Sequence, residues 1–93
     1  MLGDRIKALR QAQNLNQIQL GKALGVSKQT ISNWENGNIA PSIDTLLTIS
    51  NYFRCTTDYL LELDDLRTID VTGLTPEQIS HIQMIVLDFK KLL

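Results

Sequence analysis

Cys55 and His81 are the only cysteine and the only histidine among the 93 residues. The chain can therefore close no internal disulfide, and it lacks the set of nitrogen and sulfur ligands from which a structural zinc site is built. Cys55 follows Phe53 in an apolar stretch and reads as a small buried residue rather than a redox sensor. His81 lies between Ser80 and Gln83 on the polar side of a helical pattern and reads as a surface residue. No nucleophile elbow, phosphate-cradling glycine loop or metal motif is present, and Asp64-Asp65 fits a solvated linker better than a catalytic pair. Neither an enzyme nor a cofactor is expected. The chain also has no apolar run approaching the ~18 residues that span a membrane, and its first residues lack the apolar run of about 7 to 15 that a signal peptide needs. A cytoplasmic protein away from membranes is the expectation. There is no β alternation of useful length, no internal repeat and no low-complexity tract.

What remains is helical periodicity, so the expected fold class is all-α, and 43% hydrophobic content in a chain of this size can bury one small core. The first helix runs from about Leu2 to Gln13 with Leu2, Ile6 and Leu9 inward, and Asn14 closes it in the left-handed conformation. The second opens at Asn16, with Gln19 completing a capping box and Leu15 stapling onto Leu20. A fourth starts at the cap Ser42 and offers Ile43, Leu46, Leu47, Ile49 and Phe53 to the core; a short fifth runs from Thr57, capped by Thr56, to about Leu63.

Between the first and fourth helices lies the most informative segment, QIQLGKALGVSKQTISNWEN, residues 17 to 36. Ile18, Leu20, Ala23 and Leu24 before a turn at Gly25, and Val26, Ile31 and Trp34 after it, follow helical spacing toward one core. Gly21 sits mid-helix, where glycine costs about 1 kcal/mol relative to alanine, which signals close approach of another backbone. Gly25 supplies the left-handed residue that ends the second helix, and Ser27 caps the third, which Asn36-Gly37 ends. Lys28, Gln29, Thr30, Ser32 and Asn33 are left on the outer face. That is the layout of a helix-turn-helix, whose second helix enters the major groove of DNA by its N-terminal residues. The chemistry agrees. Gln and Asn can bond adenine N6 and N7 in a bidentate way, Lys can reach guanine O6 and N7, and a Thr methyl can meet a thymine methyl. A merely solvated face normally carries Glu and Lys pairs, whereas Lys28 to Asn33 holds one charge and no acid.

The formal charge of −1 at first opposes nucleic-acid binding, but it is unevenly placed. Residues 1 to 38 hold five basic side chains (Arg5, Lys7, Arg10, Lys22, Lys28) against two acids, and residues 39 to 93 hold four against eight. The expectation is a modestly basic reading end, phosphate contacts that lean on neutral donors and helix N-termini, and affinity that depends on dimerisation.

On the run SKQTISNWENG, the longer LNQIQLGKALGVSKQTISNWENGNIAPSIDTLLTISNYF and the following TTDYLL, residues 2 to 63 resemble the Cro/C1-type helix-turn-helix domain of the Xre family of phage and bacterial repressors. The resemblance implies a five-helix, lambda repressor-like DNA-binding domain over residues 1–63. It implies that Gln29 contacts bases and Gln17 the DNA backbone; together with the chemistry above, the expected base readers are Lys28, Gln29, Thr30 and Asn33, and the expected backbone contacts are Asn16, Gln17, Ser27, Ser32, Asn36 and Asn38. It also implies a buried ion pair between Arg10 and Glu35. Lys28 and Asn33 stand where some lambdoid repressors have glutamine, so the address read should differ.

After Leu63 the composition changes. Residues 64–73 read as a linker, and 74–93 as a fresh amphipathic helix with Thr75 as cap, Pro76 at its first position, Gln78 closing a capping box and Leu74 stapling onto Ile79. Ile79, Ile82, Val86, Phe89 and Leu93 recur at alternating spacings of three and four, and Ile85 and Leu92 widen the stripe. Such a face either folds back onto its own domain or pairs with the same helix of a second chain; pairing is the expectation, because two recognition helices then sit about 34 Å apart on one face of the duplex. The composite reading is a homodimeric transcriptional regulator, a repressor by resemblance, on double-stranded palindromic DNA. The alternative is an antitoxin or a regulator whose last helix binds a different protein.

Overall fold

Polar caps and apolar stripes set where each helix starts and which side it buries. In the computed structural model, which describes residues 1–92, the elements are α1 (Leu2–Ala12), α2 (Gln17–Leu24), α3 (Lys28–Glu35), α4 (Ile43–Phe53), α5 (Thr57–Leu60) and α6 (Pro76–Lys91). Asn16, Ser27, Ser42, Thr56 and Thr75 each accept a hydrogen bond from the backbone N–H three residues on, so every expected side-chain cap is in place. The two expected capping boxes, Asn16 with Gln19 and Thr75 with Gln78, are closed. Asn14 takes φ 57° after α1. Helix α5 is shorter than its sequence suggested because Glu62 turns the chain at φ 61°.

Ile6, Leu9, Leu20, Ile31, Trp34, Ile49, Phe53 and Leu60 form one core drawn from α1 through α5, with Leu2, Leu15, Leu24, Val26, Cys55 and Tyr59 packed around it. Ile6, Leu20, Ile31, Ile49 and Leu60 are fully buried, each contributing roughly 1.5–3 kcal/mol by leaving water. Four residues expected inside lie outside. On α2 the inward stripe is Gln17, Leu20, Gly21 and Leu24, which turns Ile18 and Ala23 to solvent. On α4 it is Leu46, Ile49, Ser50 and Phe53, so Leu47 is half exposed and Ile43, in the first turn, is 78% exposed. The polar Gln17 and Ser50 occupy inward places that a hydrophobicity pattern assigns to apolar neighbours.

The turn between α2 and α3 depends on two glycines. Gly25 adopts φ 75°, ψ 29°, a left-handed conformation that costs glycine nothing sterically. At Gly21 a Cβ would lie 2.6 Å from the carbonyl oxygen of Val26, so the start of α3 comes down onto α2 as the sequence predicts.

Helix α6 differs from the rest. Its 16 residues include none that is buried. Ile79 and Ile82 are half-buried, whereas Ile85, Val86, Phe89 and Leu92 are exposed; Leu93 lies outside the described residues. No described helix is long and apolar enough to cross a membrane.

Candidate nucleic-acid interface

Glu35 ends α3 where the helix dipole disfavours an acid, and Arg10 of α1 offsets this directly. Arg10 Nε donates to Glu35 Oε2 at 2.7 Å, its Nη2 to Oε1 at 2.9 Å, and its Nη1 to the carbonyl of Leu15 at 2.8 Å. Gln17 Nε2 donates to Glu35 Oε1 at 3.2 Å. Both charged side chains are almost wholly withdrawn from solvent, and the bidentate carboxylate raises the Arg10 pKa above its ordinary value. Among the described residues no fully buried side-chain nitrogen or oxygen lacks a partner. A buried pair of this kind fixes orientation more than it adds stability. Here it ties α1, the start of α2 and the end of α3 together, and so sets the rotation of α3. Gln17, which the resemblance puts at the DNA backbone, thus also braces α3 from behind.

On the outward side, Lys28 and Gln29 are exposed in the first turn of α3, and Asn33 follows one turn later, half-buried. Gln29 Nε2 donates to Asn33 Oδ1 at 3.1 Å. The hydroxyls of Thr30 and Ser27 are 2.9 Å apart, which leaves the Thr30 methyl as its unengaged part. The four residues assigned to base reading therefore share the first two turns of one helix. Those assigned to the backbone flank them: Asn16 and Ser27 cap α2 and α3, Ser32 accepts from Asn36 Nδ2 at 3.3 Å, and Asn38 is exposed in the loop beyond.

The local charge is smaller than the sequence count suggests. Arg10 is spent on Glu35, and Arg5 on α5 and the segment after it: Arg5 Nη1 donates to the carbonyls of Tyr59 and Asp64 at 2.7 and 3.0 Å, and its Nη2 to Asp65 at 2.7 Å. Its guanidinium lies 4.1 Å from the Tyr59 ring centroid, and that of Arg67 lies 4.7 Å from it. Lys7, Lys22 and Lys28 remain as exposed cations in residues 1–38 without an ion pair among the described residues. The Arg5 clasp is not legible in the sequence because its partners lie some 60 positions away; the acid pair Asp64-Asp65, which reads as a solvated linker, is the one local feature that could mark a cation partner. Ser50, Asn51, Arg54, Cys55, Thr68, Ile69 and Asp70 line an open polar hollow of about 510 Å³. Cys55 is half-buried there, and desolvation pushes its thiol pKa up, away from the reactive thiolate.

Comparison with known proteins places this arrangement in context. Residues 6–60 match the helix-turn-helix family. The chain is similar to repressor protein C2 of Salmonella phage P22, 41% identical over 64 residues that make up 69% of this chain and 30% of that protein. The structure resembles that of the P22 c2 repressor in complex with a synthetic operator, with a TM-score of 0.65 at 41% identity over 69% of this chain and 97% of the other. It also resembles a chain from the complex of the SinR and SinI proteins, with a TM-score of 0.63 at 25% identity over 99% of this chain and 96% of the other. The chain spans 30% to 63% of the length of the phage C2 repressor and of two further bacterial regulators.

Proposed function

The chain belongs to the helix-turn-helix family, of the Xre, Cro/C1 type, and from this membership we propose that it is a sequence-specific transcriptional regulator, a repressor, that binds a palindromic operator as a homodimer. Helix α3 enters the major groove, where Lys28, Gln29, Thr30 and Asn33 meet base edges. Asn16, Gln17, Ser27, Ser32, Asn36 and Asn38, with the N-termini of α2 and α3, meet the phosphates. The observation that carries the reading is the outward face of α3, neutral but for Lys28, on a helix whose rotation a buried ion pair fixes from behind. The similar P22 c2 repressor, solved in complex with a synthetic operator, supports an operator-binding reading. With three exposed lysines per reading end, salt lowers affinity less steeply than in strongly basic DNA binders.

Two copies joined through Ile79, Ile82, Ile85, Val86, Phe89, Leu92 and Leu93 would cover the apolar stripe of α6 and place two reading helices about one turn of DNA apart. Repression follows from occupying a site that polymerase needs. The likeness to a chain from a two-protein complex favours, as the second reading, a different protein on the same face of α6, an antagonist or a toxin. Selection from a random DNA pool, followed by light scattering on the winning duplex, tests both. A two-fold consensus bound by two chains supports the homodimer. A folded sample that enriches no sequence overturns the operator-binding reading and turns attention to the second partner.

A further inference from the structure

Gln29 and Asn33 stand one turn apart on α3, at the i,i+4 spacing at which an amide pair can bond along a helix, and Gln29 Nε2 donates to Asn33 Oδ1 at 3.1 Å. The other polar side chains around the reading face are engaged elsewhere: Thr30 with Ser27, Ser32 with Asn36, and Gln17 with Glu35. Among the described residues, Asn33 alone holds the Gln29 amide.

We infer that Asn33 sets which purine Gln29 accepts, and that the purine is adenine. In the major groove guanine presents two acceptors, O6 and N7, while adenine presents an acceptor, N7, beside a donor, the N6 amino group. A free glutamine amide can turn both N–H bonds toward guanine or one N–H and its oxygen toward adenine. With one N–H given to Asn33 Oδ1, Gln29 keeps one donor and one acceptor. That pattern matches adenine, and it leaves one acceptor of guanine unpaired in a desolvated contact. The bond also restricts the Gln29 rotamers before DNA arrives, so less freedom is lost on docking. Asn33 is in this respect a positioning residue, acting through Gln29. The inference rests on the operator-reading function proposed above.

The test uses the full chain and the duplex that selection yields. Substituting Gln29→Ala identifies the base pair that Gln29 reads, as the position where discrimination collapses. At that position the parent chain is expected to prefer A·T over G·C by about tenfold or more, the value of one good bidentate pair. Asn33→Ala is expected to shrink this preference to a few-fold, the guanine duplex losing less affinity than the adenine duplex. Asn33→Asp keeps the acceptor, so it is expected to retain the adenine-to-guanine ratio while weakening binding to every duplex through its negative charge. Circular dichroism establishes that each variant is folded. A parent chain that prefers guanine at that position, or an Asn33→Ala chain with an unchanged ratio, overturns the inference while leaving operator binding intact. Failure of the folded parent to select any sequence removes the function and the inference together.

Discussion

Helices α3 and α6 both open on a hydroxyl cap, Ser27 and Thr75, that accepts from the N–H three residues on, yet α3 buries Ile31, Trp34 and Glu35 while α6 buries nothing. The difference separates two conditions for a helix. Eight residues are too few to hold a helix in water by themselves, so α3 exists because the core, Gly21 and the Arg10 pair hold it. Helix α6 has 16 residues, a closed capping box, Pro76 in its first turn and Lys90 and Lys91 in its last. Its helicity is local, and much of its apolar face lies exposed.

The sharpest way to break the contrast is Glu35→Ala. It strands the Arg10 charge in the core and is expected to cost about 3–5 kcal/mol, read as a lower midpoint in urea denaturation. Arg10→Met with Glu35→Leu is expected to restore most of that stability, and a pair whose joint replacement costs as much as the single change would mean that the network itself carries the stability. Next comes Gly21→Ala. In an ordinary helix this change gains about 1 kcal/mol; here the new methyl meets the Val26 carbonyl, and a loss of roughly 1–3 kcal/mol is expected. A stabilised Gly21→Ala chain would show that α2 and α3 can separate freely. The smallest effect on the fold belongs to α6. Ile82→Asp with Val86→Asp is expected to leave unfolding of the α1–α5 body within about 0.5 kcal/mol, while sedimentation shows dimers giving way to monomers. Chains that stay dimeric would move the interface to another surface.

Much of this contrast is legible in the sequence, for reasons that differ by residue. Asn16 with Gln19 and Thr75 with Gln78 are three apart, so their chemistry lies within one reading window. Gly21 is legible because a helix tolerates a glycine at that place only for a reason. Ile43 and Leu47 lie outside against expectation because hydrophobicity cannot tell the solvent side of α4 from its core side when both carry aliphatic residues and Ser50 takes an inward place. The Arg10–Glu35 pair came only through resemblance, and the Arg5 clasp not at all, because each joins residues that tertiary structure alone brings together. Base reading by α3 and pairing through α6 are proposed from residue chemistry, and the DNA selection and the sedimentation experiment test them.

The brace behind α3 and the address proposed for its front share a helix but few atoms. Gln17, Arg10 and Glu35 hold α3 from the inner side, while Lys28 and Gln29 lie exposed on the outer one. Exchanging the outer pair alters no buried charge and no packed methyl, and such surface changes usually move stability by less than about 0.5 kcal/mol. If α3 reads an operator as proposed, a lineage carrying this frame can drift from one operator to another in single steps without passing through an unfolded ancestor. Retargeting of this kind would be most constrained at Asn33, where the address is tied back to its own helix.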